Sequence, residues 1–259
     1  MIFYDQLNTK VILNNYPKRI ISLVPSQSEL LWDLGLRKEI VGITKFCIHP
    51  PELYKTVIRV GGTKTFDIEK IRNLEPDLII GNKEENEQSK IEQLQKEFPV
   101  WMSDIYNLDD SLAMIQMIGD IVNKKLEAKQ LSSEIKSSFN ILSKVNKKVL
   151  YLIWKNPYMA AGKATFIAAM LSKCGFENGL TDETLRYPEL TFETIKDINP
   201  DVIFLSTEPY SFKEQHVEEF KTEFPHAIVK LVDGELFSWY GSRLKHSAHY
   251  FNSILSSLT

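Results

Sequence analysis

The densest run of chemically able side chains lies near the C-terminus, Phe237-Ser238-Trp239-Tyr240-Gly241-Ser242-Arg243. Three aromatic rings and a guanidinium fall within seven residues broken by glycine and serine. Such a loop offers flat apolar faces and a cation for carboxylate or phosphate, which is ligand-contact chemistry rather than bond-making chemistry. Core packing of a C-terminal element is the competing use of the same rings. Cys47-Ile48-His49 and the pair His246 and His249 are metal-ligand types, but two ligands without a third and fourth do not make a site. No metal ligands are expected. Pro157 to Thr165 ends in Gly-Lys-Ala-Thr, yet a phosphate loop needs glycine where Pro157 stands and serine or threonine where Ala164 stands. Neither a Gly-x-Ser-x-Gly elbow nor a His-Glu-x-x-His pair occurs. These residues describe a binder, with no catalytic residue and no catalytic cofactor.

The elements that must position them come from an ordinary globular chain. Of 259 residues, 43% are hydrophobic and 25% charged, which excludes disordered, collagen-like and coiled-coil classes. Lys+Arg 31 against Asp+Glu 34 gives a formal charge of -3, so the positive footprint that nucleic acid requires is absent. No polybasic run suits a membrane surface. Cys47 and Cys174, one in each half, form no disulfide framework and read as free thiols. No run reaches the ~18 apolar residues of a membrane helix. Met1-Ile2-Phe3-Tyr4-Asp5-Gln6 lacks the basic and apolar regions of a secretory signal, which implies a cytoplasmic location if Met1 is the native start.

Strand and helix signals alternate along the chain. Arg19 to Val24 is a β-branched run stopped by Pro25, and Ser26 to Leu34 is a helix closed by Gly35. Strands are expected at Ile40–Ile43, Leu78–Gly81 and Val100–Met102, with helices at Phe66–Asn73, Glu84–Phe98 and from Asn107 onward. Lys124 to Val145 stays helical but turns polar, as a helix bridging two lobes would. The alternation then restarts with a strand at Lys148–Trp154, helices at Phe166–Cys174 and Phe192–Ile198, and a strand at Val202–Leu205. This is the signature of an α/β protein with largely parallel sheets.

An internal repeat organises these elements. Phe66 to Ile80 matches Leu190 to Phe204 without a gap, at an offset of 124 residues. Glu69 pairs with Glu193, Ile71 with Ile195, Arg72 with Lys196 and Pro76-Asp77 with Pro200-Asp201. Glu97-Phe98-Pro99 recurs as Glu223-Phe224-Pro225. The second match lies at an offset of 126; duplication of one α/β lobe explains the near-constant offset, and two lobes leave a cleft of the kind ligands prefer.

In order and spacing, four blocks resemble the helical-backbone, or class III, periplasmic substrate-binding proteins of ABC importers for metal chelates. They are Arg19–Ser26 with its glycine-ended helix, Phe66–Gly81, Leu190–Leu205 and the final loop Asp233–Arg243. The likeness covers roughly residues 19–257. Within it, the vitamin B12-binding branch is approached through Ser28-Glu29-Leu30, Val41-Gly42-Ile43, His49-Pro50-Pro51 and the Ala161-Gly162-Lys163 turn. The loop Thr63-Lys64-Thr65-Phe66 departs from that branch, which tends to carry tryptophan there; a lysine suits an anionic chelate.

The resemblance implies two similar Rossmann-like lobes, residues 1–123 and 147–259, joined by one long helix over 124–146, with the ligand in the cleft between them. It implies a metal chelate as ligand, a corrinoid such as vitamin B12 first and ferric siderophore or haem next, delivered to an ABC permease dimer. The alternatives are a cytoplasmic chelate-binding or sensing protein on the same fold, and an enzyme on a duplicated scaffold. The resemblance places the protein in the periplasm or cell envelope, acting as a monomer without nucleic acid. Loops at strand ends then supply the contacts: Phe46, His49, Lys64 and Phe66 from the first lobe, and Trp154, Tyr158, Arg186, Tyr187, Tyr210, Phe237, Trp239, Tyr240 and Arg243 from the second. Glu69 and Glu193 are the implied transporter-docking residues, one on each copy of the repeated helix.

Overall fold

The computed structural model describes residues 1–258. The chain opens with an antiparallel hairpin of β1 (Ile2–Tyr4) and β2 (Lys10–Ile12). Its turn is held by Asp5, whose carboxylate accepts from the N–H of Leu7 at 2.9 Å and of Thr9 at 2.7 Å. Then come β3 (Ile20–Ser22), α1 (Pro25–Asp33), β4 (Ile40–Ile43), α2 (Pro51–Thr56), β5 (Ile58–Arg59), α3 (Ile68–Asn73), β6 (Leu78–Asn82), α4 (Gln88–Gln95) and β7 (Val100–Ser103). Proline opens α1, where its missing N–H costs nothing, and Gly35 closes it at φ +86°. Strands β5-β4-β3-β6-β7 form one all-parallel sheet. Because such strands are covered on both faces, they read as continuous apolar runs, and Ile21, Leu23, Ile79 and Met102 build the core with Ile71 and Leu94 from the helices.

Two helices differ from the sequence expectation. The helix expected from Glu84 begins only after Glu87. The Asn82 side-chain oxygen accepts from the N–H of Glu84 and Glu85 at 2.8 and 3.1 Å, so a side-chain turn replaces the first helical turn. After α5 (Leu108–Ile121), α6 (Lys125–Asn140) stops short of the expected Val145. The N–H of Val145 is committed to the carbonyl of Cys174 at 3.0 Å, which an i to i−4 helical bond would forbid.

The second half contains β8 (Lys147–Trp154), β9 (Tyr158–Ala160), α7 (Phe166–Lys173), β10 (Phe176–Asn178), β11 (Glu189–Leu190), α8 (Phe192–Ile198), β12 (Val202–Ser206), α9 (Glu214–Glu223), β13 (Ile228–Val232), α10 (Gly234–Ser238) and α11 (Leu244–Ser256). Its sheet runs β11-β9-β8-β12-β13, with β10 also beside β8; β8, β10, β12 and β13 pair in parallel, while β9 pairs antiparallel with both β8 and β11. Leu152, Ile203 and Leu205 meet Ile195, Phe220 and Phe224 in its core. The chain divides into two compact units. The first holds Met1–Ile105, Asp109–Lys136 and Tyr240–Lys245; the second holds Tyr106–Leu108, Ser137–Trp239 and the chain from His246 on. Both are α/β units built on a largely parallel sheet, as the sequence pattern requires.

The repeat extends to side chains. Asp67 caps α3 by accepting from the N–H of Lys70 at 3.1 Å, and Thr191 caps α8 by accepting from the N–H of Thr194 at 3.2 Å. Glu75 and Asn199 both take positive φ, 44° and 49°, where each helix ends. Asp77 accepts from the N–H of Lys18 and Arg19, each at 2.8 Å, and Asp201 from that of Lys148 at 2.7 Å. The aspartate of each Pro-Asp joint thus ties the start of its own strand to the start of the adjacent first strand.

Candidate functional site

In an open parallel sheet, the loops leaving the strands' C-terminal ends are the usual ligand-bearing edge. In the first unit that edge is a buried polar layer. Gln27 Nε2 donates to Ser103 Oγ at 2.5 Å, and Asn82 Nδ2 donates to the same oxygen at 3.0 Å. Asn86 reaches the carbonyls of Leu23 and Thr63 at 3.2 and 2.9 Å. Ser28 and Thr44 hydroxyls each lie 3.1 Å from Cys47 Sγ. Burial pushes the Cys47 thiol up from its ordinary value, so it serves as packing and not as a nucleophile. The sequence points to Cys47 and Asn82 of this layer but not to Gln27, Ser28, Thr44, Asn86 or Ser103, because such polar residues look like ordinary turn and cap residues.

The layer fixes the loops that carry the candidates of the first unit. Phe46 is 50% exposed with Lys45 Nζ 5.0 Å from its ring centre, His49 is half-buried and Lys64 is exposed. Phe66 corrects an expectation. Only 1% exposed, it packs among Ile71, Ile79 and Ile91, so it has no face for a ligand.

The aromatic loop near the C-terminus is also turned inward. Phe237, 1% exposed, packs on Phe251 and Tyr151 with ring centres 4.5 and 5.1 Å away; this too corrects its expected ligand role. Trp239 is buried and its indole is a hydrogen-bond donor to Glu208, a carboxylate that Ser238 Oγ also bonds at 2.7 Å. Burial holds the Glu208 pKa above the usual carboxylate range, opposed by those two hydrogen bonds. Tyr240 is buried and donates to Glu85 at 2.8 Å. Arg243 makes a two-pronged pair with Glu29 of α1, Nε and Nη2 each 2.9 Å from a carboxylate oxygen. Between them Gly241 takes φ +119° with Ser26 O 3.0 Å from where a Cβ would sit, so this approach to α1 needs glycine. Sequence chemistry offered Arg243 as a cation for a ligand; here its guanidinium is committed to Glu29 and fixes the loop.

The second unit leaves other side chains open. Trp154, at the end of β8, is 40% exposed and meets Tyr210 edge-on at 5.8 Å. Arg186 lies over two rings, Tyr106 at 5.3 Å and Tyr187 at 5.9 Å. Tyr106 was not among the sequence candidates; its only signal was its position just past the strand now seen as β7. Gly162 sets this segment, since its N–H donates to Arg186 O at 2.7 Å and a Cβ there would lie 2.0 Å from Leu185 O. Tyr158 stacks on Phe192 at 5.2 Å and donates to Glu219 at 3.0 Å, beside the Lys155–Glu219 pair at 2.6 Å. The Lys155 bond holds Glu219 below its ordinary pKa. Thr165, at the end of the stretch that mimics a phosphate loop, caps α7 instead.

Glu69 and Glu193 occupy the same position, the second residue of α3 and of α8, in the first turn where carboxylates favour the helix dipole. Both are exposed. Among the described residues, no group of three or more His, Cys, Asp or Glu is placed to hold a metal ion, and no helix is long and apolar enough to cross a membrane.

The periplasmic binding protein family matches residues 20–230. A vitamin B12-binding protein of Pectobacterium atrosepticum is 26% identical over 253 residues, covering 93% of this chain and 90% of that protein. An uncharacterized ABC transporter substrate-binding lipoprotein of Bacillus subtilis, YvrC, is 29% identical over 256 residues, covering 93% and 80%. Among solved structures, the periplasmic haem-binding protein RhuT of Roseiflexus sp. RS-1 superposes with a TM-score of 0.77 at 17% identity, covering 93% of this chain and 97% of that one. These are binding proteins rather than enzymes.

Proposed function

The chain belongs to the periplasmic binding protein family, and from that premise we propose that it is the substrate-binding protein of an ABC-type importer for a metal chelate. A corrinoid such as vitamin B12 is the first candidate ligand, with ferric siderophore or haem next. The observation that carries the corrinoid reading is the vitamin B12-binding relative that spans 93% of the chain. The contacts proposed are those the structure leaves open at strand ends: Phe46, His49 and Lys64 on the first unit, and Trp154, Tyr210, Arg186, Tyr187 and Tyr106 on the second. Rings such as Trp154 and Tyr210 suit a flat ligand, and Arg186 and Lys64 suit its carboxylates or phosphate. Tyr158, Trp239, Tyr240 and Arg243 act behind these as supports. The protein works in the periplasm or at the cell surface, and Glu69 and Glu193 dock it onto cationic side chains of the permease pair.

Titration of the purified protein with hydroxocobalamin, haemin and ferric catecholate and hydroxamate siderophores tests the ligand, read by quenching of tryptophan fluorescence. One chelate should bind one-to-one and be recovered unchanged. Absence of binding to all of them, or recovery of an altered chelate, refutes the reading. The Glu69→Ala/Glu193→Ala double variant should bind the same chelate normally but fail to restore its uptake in cells lacking the native copy.

A further inference from the structure

Glu69 and Glu193 are matched by the repeat, yet their surroundings differ. In the first unit Arg72 bridges two carboxylates. Its Nη1 pairs with Glu69, while Nε and Nη2 donate to Glu97 at 2.8 and 2.5 Å. In the second unit Lys196 stands where Arg72 does and Glu223 where Glu97 does, and Lys196 Nζ donates to Glu223 at 3.0 Å. A guanidinium is a fork that serves two carboxylates at once; an ammonium is a compact point charge on a flexible stem. With Lys196 committed to Glu223, Glu193 has no cation within 4.0 Å among the described residues. Its carboxylate accepts hydrogen bonds from its own helix start and the Thr191 hydroxyl, which hold its pKa below the ordinary range, and Lys196 acts on it only as a more distant charge.

We propose that docking onto the membrane partner is unequal: Glu193 is the dominant contact, and Arg72 is an internal competitor that weakens the contact at Glu69. This rests on the docking role proposed above and deepens it. The partner group is a cationic side chain. At Glu193 it meets a carboxylate that holds no direct ion pair, whereas at Glu69 it must displace Arg72, which Glu97 keeps in place. Exposed ion pairs are weak, so the handicap amounts to about two- to fivefold in docking affinity.

The Arg–Lys difference supplies the test. Arg72→Lys should let the first unit behave like the second and free Glu69. Lys196→Arg should bridge Glu193 to Glu223 and mask it. Each keeps the net charge and lies on an exposed turn, and thermal melting confirms that the fold persists. Docking is measured by surface plasmon resonance on the permease through which the wild-type chain restores chelate uptake, reconstituted in nanodiscs at low salt. Glu193→Ala should weaken docking more than Glu69→Ala, Arg72→Lys should tighten it about two- to fivefold, and Lys196→Arg should weaken it by a similar factor. Equal losses from the two alanine variants, or either swap leaving affinity unchanged, overturns the inequality while the docking role survives. If the Glu69→Ala/Glu193→Ala double variant docks as the wild type does, the docking role itself fails.

Discussion

Replacement of Arg243 by alanine separates two roles that the sequence left open. Its guanidinium makes two charge-assisted hydrogen bonds to Glu29, both at 2.9 Å, with the side chains only 14% and 16% exposed. Each such bond contributes roughly 1.5–3 kcal/mol when formed away from water. The residual exposure lets water reach the orphaned Glu29, so the truncation should cost about 2–3 kcal/mol rather than the ~3–5 of a fully buried broken pair. For a chain of this size that lowers the melting temperature by about 5–10 °C. Arg243→Lys, which offers a point charge in place of a fork, should lose about half as much. Because the two groups are in contact, Glu29→Gln with Arg243→Ala should lose less than the sum of the singles, with a coupling of about 1–2 kcal/mol in urea unfolding. Affinity for the bound chelate should stay within about twofold, well under the ~1.4 kcal/mol that a tenfold change represents. An unchanged melting temperature together with a tenfold or greater loss of affinity would show that Arg243 faces the ligand and that its pairing with Glu29 is not what it does in solution.

Two further outcomes follow from carboxylates that accept hydrogen bonds. Asp77 accepts two backbone N–H groups and Asp201 one, all water-accessible, so Asp77→Ala should cost about 1–2 kcal/mol and Asp201→Ala about 0.5–1 in denaturant titrations; equal or negligible losses would contradict the geometry. Glu208 has its folded-state pKa raised by burial, so its contribution is complete below the unfolded value of about 4.3 and is lost as pH rises through the higher folded value. Glu208→Gln should therefore flatten the fall in unfolding free energy as pH rises above the unfolded value of about 4.3, and be at least as stable as the wild type at neutral pH; an unchanged pH slope would refute the assignment.

Much of the fold was legible because its signals are local. The α/β alternation, the proline entry to α1, the glycine exits at Gly35 and Gly175, and the gapless match of Phe66–Ile80 with Leu190–Phe204 all depend on residues a few positions apart. The start of α4 had a local cause that outcompeted periodicity, since the Asn82 side chain captured the N–H groups of Glu84 and Glu85, whereas the chain past α6 answers to Cys174, a residue distant in sequence. Residue types alone also marked the chain as a binder without catalytic machinery, and matched Glu69 to Glu193.

What only the tertiary structure decided was which way the candidate side chains point. Phe66 and Phe46 are equally aromatic and close in sequence, but one fills the core and the other is half open to water. Arg243 meets Glu29 from 214 residues away and Tyr240 meets Glu85 from 155 away, and no window of sequence contains both partners. Those contacts turned the most promising loop in the sequence into a support, and left Trp154, Tyr210 and Arg186 with Tyr106 and Tyr187 as the open surface. The same holds for the proposed docking pair. The sequence makes Glu69 and Glu193 equivalent, and only the placement of Glu97 and Glu223 shows that a forked cation holds one of them while a point charge passes the other by. Type and spacing are properties of the chain. A side chain's partner is a property of how distant segments meet, because burial and pairing energies depend on distances that exist only once the chain has folded.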